Sequence, residues 1–346
     1  MITMLSRRDF LGKSGFGVLG LSLSSRLTSL AAAEGKNGTA GSKVVLVRHS
    51  KVVDSEGRIQ HPLLQEMLDE AMASFTGKRS IADAWRVFFS PEDVIGLKVN
   101  ANSARMVQGT ELNAHYPAVT SAILSGCRRA GIEENQFVIW ERSEEELSSA
   151  GFTLQNDPGK LRVLGTNTRR REPGGIGFSK ESFPVGDEST HVSRIVTDIC
   201  TTMVNIPVLK DHGLAGITGS LKNHYGSIDN PREFHDNGCT GPGAPEINAI
   251  PVIRKKERLI VCDALLGVYN GGPRWRRAYV WPYGGVIVGT DPVAVDSVLL
   301  GILDEKRGSE EMERLGHRVR HVQVAEKLGL GTADPDNIQL VRKELG

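Results

Sequence analysis

The feature that most limits how this chain can fold is a repeated alternation of short apolar runs with helical stretches. Residues 93–100 (DVIGLKVN) are apolar and end in polar residues, as a central parallel strand does. Residues 117–130 follow with Val119, Ile123, Leu124 and Cys127 on one helical stripe, and Gly131 closes the stretch. Residues 136–140 (QFVIW) read as the next strand. This order is a βαβ unit, whose crossover is right-handed. Further strands are predicted at 43–48 (KVVLVR), 201–206, 258–262 and 285–288. Further helices are predicted at 62–75, with Leu64, Met67, Leu68 and Ala71 on one stripe, from Asp291-Pro292 to about 303, and at 321–328. The pattern predicts an α/β fold: a three-layer sandwich with a mostly parallel sheet and helices on both faces. Beyond the first 33 residues, a single domain over 34–346 is expected, with two inseparable lobes at roughly 34–165 and 190–346 and the basic and glycine-rich stretch 166–189 as the lobe junction or a mobile loop. With 346 residues, 39% of them apolar, the chain is long enough for a large core, and a disordered or disulfide-stapled chain is excluded.

The first 33 residues read as a leader and not as fold. Ser6-Arg7-Arg8-Asp9-Phe10-Leu11-Gly12-Lys13 resembles a twin-arginine export signal. A weakly apolar stretch rich in Gly and Ser follows over 14–30, and Ala31-Ala32-Ala33 offers a small-residue cleavage site. Cleavage is expected after Ala33, which places the mature protein in the periplasm and makes the twin-arginine translocase a partner. An uncleaved membrane anchor is the alternative, although the apolar run is short for a span. The whole chain has a formal net charge of +1. Removing the leader takes away four basic residues and one acid, which leaves 38 basic and 40 acidic residues. The mature chain then has no basic surplus for nucleic acid or an anionic membrane. With 5% aromatic residues it also has little to stack against bases. The twin-arginine route carries proteins that are already folded, often with a cofactor in place, so an unidentified cofactor is expected.

Chemistry-bearing residues concentrate between Lys210 and Asp236. Ile206-Pro207-Val208-Leu209-Lys210-Asp211-His212 leaves a predicted strand, and the loop beyond it carries Gly216, Gly219, Lys222, His224 and then His235. Open α/β sheets bind ligands at the carboxyl ends of their strands. Gly216 and Gly219 would let backbone N–H groups approach an anionic ligand. Lys222 is either a point charge for a carboxylate or phosphate or, if desolvated, a nucleophilic amine. His212 and His235 are acid–base groups or metal ligands. Lys98 and Asn100, ending the 93–100 run, are anion-binding candidates. Asp263, following 258–262, is a candidate cation ligand or a carboxylate that orients a His; the first reading gives a metal set of His212, His235 and Asp263. Parallel strands share one carboxyl edge, so these side chains are expected to converge on one cleft. Asp291 reads as a helix cap, and Arg169, Arg170 and Arg171 as part of a solvated loop. Of the four cysteines, Cys127, Cys200 and Cys262 lie in apolar patterns and read as small buried hydrophobes, while Cys239 lies in a polar loop. None forms the close pair that an iron–sulfur or zinc-ribbon site uses. A disulfide is permitted by the compartment and is not assigned.

Lys98-Val99-Asn100, the 207–226 block, Asp263-Ala264-Leu265 with Gly271-Gly272-Pro273, and Thr290-Asp291-Pro292-Val293-Ala294-Val295-Asp296 occur in that order. In this the chain resembles the family called domain of unknown function 362, over nearly all of its mature length. Members often carry a twin-arginine signal or an added ferredoxin-like module, and this chain has no such cysteine module. One shorter motif, His212-x-x-Ala215-Gly216-x-Thr218-Gly219-x-x-Lys222, is similar to a segment of nickel-pincer lactate racemase. That resemblance implies His212 as an acid–base catalyst and Lys222 as the covalent holder of a metal-bearing nucleotide. It also implies His235 as a metal ligand, at a different spacing. The racemase has a second catalytic His after an early strand; here Glu141, Arg142 and Ser143 stand in that place. Two-base racemisation needs a proton acceptor on each face of the substrate carbon.

Two functional classes follow. The first is an exported enzyme that uses a transition metal or metal-bearing cofactor on a small anionic substrate at the His212, Lys222 and His235 cleft. The second is a non-catalytic periplasmic protein that binds a metal or cofactor for a redox partner.

Overall fold

The structure, a computed structural model, describes residues 41–169 and 172–346. The expected leader, residues 1–33, and Arg170 and Arg171 of the basic cluster lie outside the described residues.

The first layer of helices is built early in the chain. β1 (Ser42–Arg48) is followed by α1 (His61–Thr76), which buries Leu64, Met67, Leu68 and Ala71, the predicted stripe. α2 (Ile81–Arg86) is capped by Ser80, whose side chain accepts from the Asp83 N–H. The predicted βαβ unit forms from β2 (Ile95–Lys98), α3 (His115–Arg129) and β3 (Phe137–Ser143). α4 (Glu144–Ser149) and β4 (Arg162–Asn167) follow. β5 (Phe178–Val185) and β6 (Glu188–Ser193) pair with each other as a separate antiparallel hairpin. The site-bearing stretch runs through β7 (Thr202–Asn205), β8 (Val208–His212), β9 (Gly216–Ile217) and α5 (Gly219–Asn223). Three short helices come next: α6 (Asp236–Cys239), α7 (Ala244–Ala249) and α8 (Pro251–Lys256). The chain ends with β10 (Glu257–Val268), β11 (Val280–Gly289), α9 (Pro292–Ser309), α10 (His321–Lys327) and β12 (Ile338–Glu344).

The main sheet has the order β12-β1-β11-β10-β7-β2-β3-β4, and β8 also pairs with β10. β11 runs antiparallel to both of its neighbours, β9 folds back antiparallel on β8, and the other pairings within this sheet are parallel. Successive strand residues point to opposite faces. Val45, Leu97, Val204 and Val261 pack into one core with α1 and α3, through Met67 and Ile123. Val44, Trp140, Met203 and Ile260 pack into the other with α7 and α9, through Ile247 and Leu299. Each such side chain, fully buried, contributes about 1.5–3 kcal/mol relative to exposure. Apolar residues on both faces explain why the strands read as continuous runs. The result is an α/β sandwich with helices on both faces of a mostly parallel sheet.

Residues 41–346 form one compact unit. β7, from the expected second lobe, lies between β2 and β10, so one sheet runs through both expected lobes. The stretch 166–189, read as a loop, instead carries the end of β4 and most of the β5–β6 hairpin. β5 is largely exposed, which hides any apolar periodicity, and Val185 and Val192 tie the hairpin into the second core. Asp291 caps α9 as expected, accepting from the Val293 and Ala294 N–H groups at 2.8 and 2.9 Å. Among the described residues no helix is long and apolar enough to cross a membrane.

Candidate functional site

Parallel strands deliver their carboxyl ends to one side, and there a cavity of about 600 Å³ opens. Asn100 beyond β2, Glu141 and Arg142 in β3, His212 ending β8 and Lys222 in α5 line it. The loop 228–235 covers it, contributing His235. Four predicted residues, Asn100, His212, Lys222 and His235, therefore meet in one cavity.

His212 has its protonation fixed by the backbone. Its Nδ1 accepts from the Leu214 and Ala215 N–H groups at 3.2 and 3.1 Å. A backbone N–H only donates, so Nδ1 holds a lone pair and the ring proton sits on Nε2. Nε2 has no protein partner among the described residues. Burial, with the nearby Lys222 charge, pushes the imidazolium down to about 2. His212 is thus a neutral ring that offers an Nε2–H to the cavity.

Lys222 lies against His235, with its Nζ 3.2 Å from His235 Nε2. The His235 Nδ1 lies 2.6 Å from the Pro231 carbonyl oxygen, which only accepts, so His235 carries its proton there and presents a lone pair to Lys222. Lys222 Nζ also lies 3.1 Å from the centre of the Tyr225 ring. A π face and an imidazole lone pair both favour an ammonium over a neutral amine. Tyr225 itself donates to the Phe234 carbonyl at 2.5 Å, and burial raises its phenol pKa, so the ring stays neutral. The His212 and His235 ring centres are 6.3 Å apart.

Behind the cavity lies a buried polar network. Asn100 Nδ2 donates to Asn223 Oδ1 at 3.0 Å, and Lys210 Nζ donates to Asn100 Oδ1 at 3.1 Å. Asn223 Nδ2 donates to Asn205 Oδ1 at 2.8 Å, and Asn205 Nδ2 to Glu257 Oε2 at 2.8 Å. Lys98 is fully buried and does not line the cavity; its Nζ donates to Glu141 Oε2 at 2.8 Å and to the Val99 carbonyl at 2.7 Å. Gly226 leaves room for this pair: a Cβ there would stand 2.6 Å from Glu141 Oε1 and 2.8 Å from Lys98 Nζ and would push the two side chains aside.

Other expected members of the site stand elsewhere. Asp263 is buried against His115 Nδ1, and its Oδ1 accepts from the Leu265 N–H at 3.1 Å. It is not at a strand end, since β10 runs on to Val268. Gly216, with φ 82°, packs against Val319. Gly219, with φ 47°, leaves room for the Asp296 carboxylate, which a Cβ would meet at 2.5 Å. That carboxylate accepts from the Ser220 and Leu221 N–H groups at 2.6 and 3.1 Å. The backbone donors expected to face an anionic ligand thus serve the protein's own Asp296, whose pKa burial raises to about 7. His224 lies in the core between Ser227 and Glu257. All four cysteines are buried free thiols, Cys239 among them.

The metal set of His212, His235 and Asp263 does not fit this geometry. Ligation through His212 Nε2 would need the ring proton on Nδ1, where two N–H groups already point. His235 Nε2 faces the Lys222 ammonium, and Asp263 is engaged by His115. Among the described residues no group of three His, Cys, Asp or Glu side chains is arranged to hold a metal ion. A racemase-type nucleotide held covalently would need Lys222 as a neutral amine, and the Nζ that would carry it contacts His235 Nε2 and the Tyr225 ring.

Sequence reasoning missed Lys210, Asn223 and Asp229. Lys210 stood out only as a cation at the end of an apolar run, Asn223 only as the neighbour of Lys222, and Asp229 lies in an aperiodic loop. Glu141 and Arg142 were visible as the residues in place of a second His.

No curated protein matches this chain. A crystal structure of a Thermotoga maritima protein is similar, at 13% identity and a TM-score of 0.38, over 78% of this chain and 59% of that one. This chain thus spans about three fifths of that protein's length. The sequence model of the family described as Domain of unknown function (DUF362) matches residues 95–301, from the first residue of β2 into α9. That stretch contains every residue that lines the cavity. The chain belongs to the DUF362 family.

Proposed function

We propose that this protein is an exported enzyme that binds a small anionic substrate through the Lys222 ammonium and the His212 Nε2–H. The observation that carries this reading is the pairing of a lysine, set against His235 Nε2 and the Tyr225 ring face, with a neutral imidazole donor in one cavity. Such donors hold a carboxylate or phosphate and also stabilise negative charge that develops on it during reaction. In this role His212 is a hydrogen-bond donor and not a general base, since its lone pair is bound to the backbone. Asn100, held by Lys210 and Asn223, fixes the adjoining wall.

Binding of acetate and inorganic phosphate, the simplest planar and tetrahedral anions, tests the reading. Lys222→Ala is expected to weaken the tighter of the two by about 10–100-fold, the worth of one charge-assisted hydrogen bond. Lys222→Arg keeps the charge and is expected to retain most of the affinity. Unchanged affinity in Lys222→Ala would remove Lys222 from the site. An adduct on Lys222 by intact-mass analysis of native protein would replace the clamp with a covalent role.

Export is part of the proposal and rests on the order of Arg7-Arg8, the apolar stretch and Ala31-Ala32-Ala33. Replacing Arg7 and Arg8 together by Lys is expected to leave the protein uncleaved in the cytoplasm. Normal delivery of that double variant to the periplasm would sink the assignment.

A further inference from the structure

We propose that the cavity takes a zwitterion, with its anionic group at Lys222 and His212 and a positively charged group held by Asp229. This rests on the anion reading above and adds the other end of the ligand. Four carboxylates line the cavity: Glu141, Glu146, Asp229 and Glu233. Three cations line it: Arg142, Lys222 and Arg232. A molecule with negative charge alone meets attraction near Lys222 and repulsion from the acids, whereas one that also carries a positive charge is matched to both.

Asp229 is the acid best prepared to receive that charge. Its Oδ1 accepts from Thr190 Oγ1 at 2.9 Å and from the His191 N–H at 3.0 Å. Its own carbonyl accepts from Arg142 Nη2 at 2.7 Å, and the preceding Ile228 carbonyl accepts from Nη1 at 2.9 Å. The residue is therefore held by β3 and β6 at once. Its Oδ2 has no partner among the described residues. Glu141, by contrast, is already compensated by Lys98. At the anionic end, His212 is 93% buried and its Nε2–H has no protein acceptor. A buried donor and a fixed carboxylate in one cavity are both left for a ligand to satisfy.

The test is titration calorimetry on the full chain with β-alanine, γ-aminobutyrate and ε-aminocaproate, against propionate, butyrate and hexanoate. At least one amino acid is expected to bind about tenfold or more tightly than the carboxylate of the same length. Asp229→Asn keeps the Oδ1 acceptor and removes the charge. It is expected to bring that ratio close to one without weakening the carboxylate. Equal or tighter binding of the carboxylates to the unaltered chain would overturn the zwitterion and leave the anion reading standing. A preference that survives Asp229→Asn would overturn Asp229 as its holder. If neither series binds while inorganic phosphate does, the zwitterion falls and the anion reading stands; if phosphate fails as well, both fall. Should the Asn variant fail to fold, the paired ligands on the unaltered chain decide alone.

Discussion

Lys98→Met is expected to destabilise the fold by about 3–5 kcal/mol, the usual cost of removing one partner of a buried ion pair. Lys98 is fully buried and Glu141 nearly so. Without the ammonium, Glu141 keeps, among the described residues, only the N–H groups of Ala101 at 3.2 Å and Arg142 at 2.7 Å. That is too little for a carboxylate out of water. Glu141→Gln in the same background should recover a large share, since a neutral amide can still accept from those two donors. Denaturant unfolding of the four proteins gives the coupling, expected at about 2 kcal/mol or more. A single-variant loss under about 1 kcal/mol would mean that the pair is effectively solvated. Since Glu141 floors the cavity, the same variants should weaken ligand binding beyond what stability alone explains.

Acid should unfold this protein by way of histidines. Unfolded, a histidine titrates near 6.5, while burial holds His321 near 4 in the fold. Between those values the unfolded chain takes up a proton that the folded chain refuses. Stability is therefore whole above pH 6.5 and falls as the pH drops to 4, by roughly 3 kcal/mol from this residue. His212, held near 2, removes a second proton's worth across the same window. Asp296 opposes them: its carboxyl titrates near 7 in the fold and near 3.8 unfolded, so acidification between those values restores stability. Asp211, whose carboxyl burial also raises, acts in the same direction as Asp296, so the loss from the two histidines is partly offset. His321→Leu isolates the effect, because both ring nitrogens of His321 are buried without a hydrogen-bond partner and leucine removes them at similar volume. The stability gap between pH 8 and pH 5 is expected to narrow by about 2 kcal/mol in that variant. An unchanged gap would show that other groups drive the acid response.

What could be read from the sequence follows from how strongly burial imprints a period. β1, α1, α3, β7 and the start of α9 stand where their apolar patterns put them, because both faces of the sheet are covered. α2 is too short to show a period, and β12 and the β5–β6 hairpin are too exposed. In the site, His212, Lys222, His235 and Asn100 were legible because parallel strand ends share an edge. Asp263 was not, because a carboxylate inside a strand looks, in sequence, like the polar residue that ends one. Only its buried partner, His115, reveals the difference. Gly216 and Gly219 signal an anion cradle equally well whether the anion is a ligand or the chain's own Asp296, and that choice depends on a residue 76 positions away from Ser220.

The pairing of β1 with β12 bears on how the protein is made. Ser42 lies beside Ile338 in that register, 296 residues apart, so the first strand gains its outer neighbour only when the last has been synthesised. Such distant closure is slow, and it leaves the sheet edge bare on every shorter chain. A chain that stops short of β12 thus has an unguarded β1. The edge of the sheet at β1 is guarded by a segment nearly three hundred residues away in sequence.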